Sequence, residues 1–215
     1  TVDFHHGAFD GRYLLKTLPC DVYLAKNEME RDYLVRVCGL PEERIRIGAP
    51  AGHVPFANEA AGVQRTAAIF FSEPYESAGL RADEVYREIL PPLCHVAREL
   101  GVSVIIKLHP FENYSQRCRL VRDILPSEHQ NLVTVRDGPL TNELLAQTRF
   151  GITVESTTVM DCLHLGVCCF LCGWLTLSPY EYVQQYARFG VGEMLHSREG
   201  IGDIPKRLEQ FHNRS

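Results

Sequence analysis

No stretch of this 215-residue chain approaches the roughly 18–20 uninterrupted apolar residues that would span a bilayer. Positive charge is not in excess either: 22 Lys and Arg stand against 27 Asp and Glu, a formal charge of −5. A broad footprint for nucleic acid is thereby excluded, so any anion site has to be built locally. There is no Gly-x-Gly-x-x-Gly, which disfavours NAD or FAD. There is no Gly-x-x-x-x-Gly-Lys-[Ser/Thr] loop and no Gly-x-Ser-x-Gly elbow, so neither P-loop ATPase nor α/β-hydrolase chemistry has a motif. No signal peptide is visible, and the chain does not open on Met. It begins within a strand-like run, Thr1-Val-Asp-Phe-His-His-Gly, so we expect a piece of a longer protein.

What is present is ordinary for a globular protein: 45% apolar and 23% charged residues, enough for a packed core. Eight cysteines do not require a disulfide framework in a chain of this length. Cys38, Cys94, Cys162, Cys168, Cys169 and Cys172 fall in predicted helices or strands, where a free thiol behaves as a small apolar group. Cys169 and Cys172 have Cys-x-x-Cys spacing, but no second pair lies nearby. Buried reduced thiols are the reading, in preference to zinc or redox chemistry. A reducing cytoplasm fits.

Apolar periodicity predicts strands at Thr1–Phe4 and Asp21–Ala25, an extended segment at Ile45–Pro50, and helices at Asp10–Thr17 and Glu28–Cys38. Residues 51–65 carry no period and read as a linker. A second unit opens with Thr66–Phe71, an apolar run of the kind buried on both faces. Then follow a helix at Arg81–Leu100, broken near Pro91-Pro92, and a strand at Val102–Leu108. A helix at Tyr114–Leu125, a strand at Leu132–Val135 and a helix at Leu140–Gln147 come next. Strands Phe150–Val154 and Val167–Leu171 enclose a helix at Thr157–Leu165. Two helices, Pro179–Tyr186 and Asp203–His212, finish the chain. Alternating strands and helices predict an α/β fold: a Rossmann-like parallel sheet with helices on both faces. Ligands of such sheets bind beyond the carboxyl ends of the strands, at the point where strand order reverses.

The candidate residues all fall at such ends. Ser156, Thr157 and Thr158 stand at the start of a helix, where hydroxyls and unpaired N–H groups attract phosphate; plain capping is the alternative. Glu155 precedes them and, beside a phosphate, would accept from sugar hydroxyls or point away. His109 follows a strand, and Pro110 holds its backbone extended. A neutral-range imidazole there can donate to a phosphate oxygen or a leaving group. Lys107 lies two residues back and can neutralise phosphate or pair with a carboxylate. Ser72 and Glu73 open the loop Ser72-Glu-Pro-Tyr-Glu, which can receive a diphosphate or sugar. His5-His6-Gly7 ends the first strand; either His is a general base or a satisfied turn residue. Adjacent His on an extended chain point apart, so no metal site is expected.

The His109-Pro110 pair, followed some forty residues later by strand, Ser156-Thr157-Thr158 and helix, resembles the GT-B glycosyltransferase superfamily. Within it the chain is similar to CDP-glycerol glycerophosphotransferases and to bacterial sialyl- and polysialyltransferases with HP and Ser/Thr motifs. The stretch Cys20-Asp-Val-Tyr-Leu-Ala-Lys-Asn-Glu28 resembles the segment before their interdomain linker. The resemblance implies that residues 1–50 end an amino-terminal Rossmann-like domain. It makes 66–202 the donor-binding domain and 203–215 a closing helix. It implies that His109, Ser156, Thr157 and Thr158 hold the donor phosphate, with Ser72, Lys107, Pro110 and Glu155 around it, and makes His6 a candidate base. The implied donor is a CMP-, CDP- or UDP-linked substrate, with no further cofactor and no metal. The implied acceptor is a saccharide or polymer, and the implied setting is bacterial capsule or cell-surface polysaccharide synthesis in the cytoplasm. Association with the inner face of the membrane would come through parts of the protein outside this chain. Two other readings stay open: a UDP-sugar 2-epimerase-like enzyme, and a nucleotide-sugar-binding domain without catalysis.

Overall fold

The computed structural model describes residues 1–4, 20–48, 64–176 and 182–212. In chain order the elements are β1 (Val2–Phe4), β2 (Val22–Ala25), α1 (Glu28–Arg36), β3 (Ile45–Ile47), β4 (Ala67–Phe71), α2 (Ala82–Glu99), β5 (Ser103–Lys107), α3 (Tyr114–Ile124) and α4 (Ser127–Gln130). They continue as β6 (Val133–Arg136), α5 (Asn142–Ala146), β7 (Thr148–Thr153), α6 (Thr158–His164), β8 (Cys168–Cys172), α7 (Tyr182–Arg188), β9 (Glu193–Leu195) and α8 (Ile204–His212). The expected helix at Asp10–Thr17, His6 and most of the linker lie outside the described residues.

The chain divides into two compact units, Thr1–Pro55 with Ser178–Gly190, and Phe56–Leu177 with Val191–Ser215. The first holds a parallel three-stranded sheet in the order β1-β2-β3. Helix α1 starts at Asn27, whose side chain accepts the Glu30 backbone N–H at 2.9 Å and satisfies one orphan donor of the first turn. Tyr33 and Leu34 bury the helix's inner face beside Tyr23 and Ala25 of β2. Helix α7 packs on α1, and Arg188 reaches Asp32 with two hydrogen bonds of 2.9 and 3.2 Å. The boundary read from the sequence therefore shifts. Residues 182–188 return to the first unit, because their buried Val183 and Tyr186 have α1 to pack on. Helix α8, set apart at 203–215 in the sequence reading, belongs to the core of the second unit through Ile204 and Leu208.

The second unit is a parallel six-stranded sheet in the order β6-β5-β4-β7-β8-β9. Every residue of β4 and β8 is buried, as their unbroken apolar sequences predict for strands covered on both faces. One face carries Ala68, Phe70, Val104, Ile106, Ile152 and Phe170 against α2 and α8. On the other, Gly151 lies under α6: a Cβ there would meet Phe71 at 2.7 Å and Cys169 Sγ at 3.0 Å.

Helix α2 runs unbroken through Pro91 and Pro92, contrary to expectation. Each proline deletes a backbone hydrogen bond and costs about 3 kcal/mol. Against that, Val85, Tyr86, Ile89, Leu90, Leu93 and Val96 are buried, each worth roughly 1.5–3 kcal/mol. The apolar stripe outweighs the two lost bonds. Edge strand β9 and helix α4 have no counterpart in the sequence reading; three and four residues are too few to show a period. The six cysteines expected inside are all buried and free. Cys169 and Cys172 lie three apart on β8 and so face opposite sides of the sheet.

Candidate functional site

Strand order reverses between β4 and β7: β5 and β6 build outward on one side of β4, and β7, β8 and β9 on the other. The segments leaving β4, β5 and β7 therefore flank the crevice where such sheets take ligands. Two polar clusters occupy this edge.

The first cluster shapes the loop of His109. The Glu112 N–H donates to the His109 carbonyl at 3.0 Å, which closes a turn with Pro110 at its second position. The Glu112 carboxylate returns to accept the His109 N–H at 2.8 Å, and its other oxygen accepts Arg117 Nε at 2.7 Å. Ser72 Oγ donates to that same oxygen at 2.8 Å and lies 2.8 Å from the Tyr86 hydroxyl. Arg117 forks onto Glu76 at 3.1 and 2.9 Å and sits over the Tyr86 ring. Two carboxylates hold the Arg117 guanidinium above its usual range, and Arg117 holds the Glu76 carboxyl below its own.

Within that frame the His109 imidazole is half-buried, 5.0 Å from the exposed ring of Phe111. Its Nδ1 accepts the Phe111 N–H at 3.2 Å. The neutral ring therefore carries its proton on Nε2, as a donor pointing away from that contact. Burial lowers its pKa, opposed by Glu112 and assisted by Lys107.

The second cluster spans the reversal itself. Oε1 of Glu73 accepts Thr153 Oγ1 at 2.7 Å, the Val154 N–H at 3.1 Å and the Glu155 N–H at 2.9 Å. Enclosure raises the Glu73 pKa to about 7, against the lowering effect of those bonds. Thr153 Oγ1 accepts the Ser156 N–H at 3.3 Å. Ser156 Oγ accepts both the Thr158 N–H at 3.3 Å and the Thr158 hydroxyl at 3.0 Å, which leaves its own proton free to donate outward. Helix α6 has seven residues and no side-chain cap, and the N–H groups of Val154, Glu155, Ser156 and Thr158 are already spent on Glu73, Thr153 and Ser156, so what this edge has left to offer is hydroxyl protons.

Ser156 and Thr158 are thus brought together, with Thr157 between them. His109 is on the same edge but two strands away, beyond β4; at about 4.8 Å per strand the tips lie about 10 Å apart. No hydrogen bond joins His109 to Ser156, Thr157 or Thr158 among the described residues.

Two sequence assignments, Ser72 and Lys107, need correction. Ser72 is 4% exposed and spends its hydroxyl on Tyr86 and Glu112, so it supports the His109 loop and offers nothing to a ligand. Lys107 is 6% exposed, and its ammonium donates to the carbonyls of Leu108 at 2.7 Å and Gly138 at 2.6 Å. It ties together the exits of β5 and β6; burial lowers its pKa. Glu155 accepts the Thr176 hydroxyl, so its carboxylate is engaged with the segment after β8. Pro110 is exposed at the turn. Glu73 stands beside Ser72 among the candidates at the exit of β4; Glu112, Arg117 and Thr153 are not among them. Only the His-Pro-x-Glu spacing, a turn with a carboxylate at its fourth position, carried a local signal.

A cavity of about 750 Å³ lies at the opposite, amino-terminal edge of the sheet, lined by Gln64, Arg65, Glu99, Leu100, Arg149, Pro205, Leu208 and Glu209. It contains none of the candidate residues. Among the described residues no group of three or more His, Cys, Asp or Glu is placed to hold a metal ion, and no helix is long and apolar enough to cross a membrane.

No protein-family model and no curated protein matches the sequence. The fold does match solved structures. Staphylococcus aureus MnaA, solved with UDP, superposes with a TM-score of 0.61 at 12% identity over 93% of this chain and 54% of that one. The Methanocaldococcus jannaschii UDP-GlcNAc 2-epimerase, in complex with UDP-GlcNAc and UDP, gives 0.57 at 11% over 87% and 54%. The wall teichoic acid polymerase TagF gives 0.53 at 17% over 94% and 52%. At such identities the likeness shows the fold: α/β, with Rossmann-like parallel sheets of the GT-B kind. The chain spans about half the length of these structures.

Proposed function

We propose that the second unit binds the diphosphate of a nucleotide-activated donor at the reversal between β4 and β7, as part of a glycosyltransferase-like or glycerophosphotransferase-like enzyme. The observation that carries this reading is the Ser156 hydroxyl. It accepts two internal bonds and keeps its proton for a ligand, at the point in the topology where parallel sheets bind theirs. Thr157 adds a half-buried hydroxyl beside it. His109, across β4, supplies a neutral Nε2–H donor at a distance that suits the far end of a diphosphate rather than the same oxygen. Donors aimed at the bridging and terminal oxygens stabilise the charge that develops on a leaving nucleotide. The structural neighbours solved with UDP and UDP-GlcNAc support a uridine-linked donor, and TagF supports a polymer-forming transfer. On this reading a CMP-, CDP- or UDP-linked donor needs no additional cofactor. The acceptor would be a saccharide or cell-surface polymer, and His6 is the candidate for the base that activates it.

Calorimetric titration of the purified chain with CMP, CDP, UDP and GDP tests the reading. A pyrimidine diphosphate is expected to bind in the millimolar range or tighter, and His109→Ala and Ser156→Ala each to weaken it. Silence for all four nucleotides would defeat the proposal.

An epimerase reading has one observation of its own. Glu73 and Glu155 place two carboxyl groups at the same edge, one of them with a near-neutral pKa suited to proton transfer. Incubation with UDP-GlcNAc in deuterated water separates the readings, since inversion at C2 of the sugar would leave deuterium on that carbon.

A further inference from the structure

Among the described residues, Glu73 is the carboxyl group whose oxygen bridges the exit of β4 to the exit of β7. Its Oε1 is saturated by three donors, one hydroxyl and two backbone N–H groups. Oε2 has no hydrogen-bond partner among the described residues. Thr153 Oγ1 also lies 3.2 Å from the Phe71 carbonyl; with its one proton given to the nearer Glu73 Oε1 at 2.7 Å, a proton on Glu73 resides on Oε2, where it has no internal acceptor. Without that proton, the same position holds a negative charge beside the proposed diphosphate site. The groups facing Glu73 reinforce this. Glu155, on the β7–α6 turn, repels its ionised form; Tyr75, after β4, and Cys172, on β8, are held neutral chiefly by their own burial, with Glu73 adding to it.

We propose that Glu73 is a proton-linked gate on the diphosphate site: as a carboxylic acid it donates from Oε2 to a phosphate oxygen, and as a carboxylate it repels the ligand. Binding then takes up one proton from solvent above neutral pH. This inference rests on the donor reading above. Its near-neutral pKa places the transition in a range that cells cross. His109 also titrates at this edge, but below its ordinary value, so its contribution belongs to more acidic solution.

The probes are UDP-GlcNAc and CDP-glycerol, phosphodiesters whose own charge is constant from pH 6 to 8.5. Affinity of the full chain is expected to fall about tenfold between pH 7.5 and 8.5, the slope of one linked proton. In Glu73→Gln, which keeps an acceptor for Thr153, Val154 and Glu155, that slope should vanish and the pH 8.5 affinity should rise above that of the parent. A parent that binds either probe with constant affinity from pH 6.5 to 8.5, or a variant that retains the slope, overturns the gate and leaves the donor reading standing. Failure of both proteins to bind either probe at millimolar concentration overturns the donor reading and the gate together. A ligand-free readout stands beside these. Denaturant unfolding should show the parent losing stability relative to Glu73→Gln from pH 5 to 8; parallel profiles would show an ionised Glu73 throughout and overturn the gate.

Discussion

The two polar clusters on the carboxyl edge of the six-stranded sheet use similar residues to opposite ends. Around Glu112 the valences close: Ser72, Tyr86, Arg117 and the His109 N–H all find partners, and Arg117 adds Glu76. Around Glu73 they do not close: Oε2 of Glu73 and the proton of Ser156 point to nothing within the described residues. A closed buried network is a scaffold, because each member already spends its hydrogen-bonding capacity. An open one, at the place where strand order reverses, is where a ligand gains the most. Polar residue types do not distinguish the two; remaining valence does.

The largest test of that contrast is Arg117→Ala. It leaves the Glu112 carboxylate, 0% exposed, without its cation, and is expected to cost about 3–5 kcal/mol in urea unfolding. A loss under about 1 kcal/mol would mean that the Glu112 cluster is not the scaffold described.

Next comes Glu73→Gln. The native pKa of about 7 stands above the ordinary 4.5, so the folded state binds the extra proton between those values. Stability from this group is complete below pH 4.5 and is lost as pH rises through 7. The variant should therefore match the parent near pH 4 and exceed it at pH 8, by up to about 3 kcal/mol. A parent that grows more stable from pH 5 to 8 relative to the variant would reverse the assignment.

Ser156→Ala and His109→Ala should each weaken nucleotide binding by about 1–3 kcal/mol, the value of a lost hydrogen bond to a charged group. Unfolding should change by no more than about 1 kcal/mol. The smallest effect on binding is expected from Ser72→Ala. It should lower stability by about 1 kcal/mol and leave nucleotide affinity within the error of calorimetry. If Ser72→Ala weakens binding as much as Ser156→Ala, the division between closed and open clusters fails.

Much of the fold could be read along the chain because its determinants are local. Continuous apolar runs marked β4 and β8, and the 3.6-residue stripe marked α2. The place of the site was legible too, since alternation of strands and helices predicts parallel strands, and parallel strands put loops of one kind on one edge. The role of individual polar residues was not. Ser72 and Ser156 look alike in sequence, yet Tyr86, fourteen residues away, and Glu112, forty away, consume the first. Lys107 reads as a phosphate ligand until Gly138, thirty-one residues on, takes its ammonium. Nor could the return of α7 to the first unit be read, because the partner that buries Val183 and Tyr186 lies about 150 residues earlier in the chain.

The sequence by itself determined the α/β class, the longer strands and helices, and which loops share an edge, because backbone propensity and apolar period act over a few residues. Only the tertiary structure decided which hydroxyls, carboxyls and amines are spent and which remain, because a hydrogen bond depends on distance in space and is indifferent to distance along the chain.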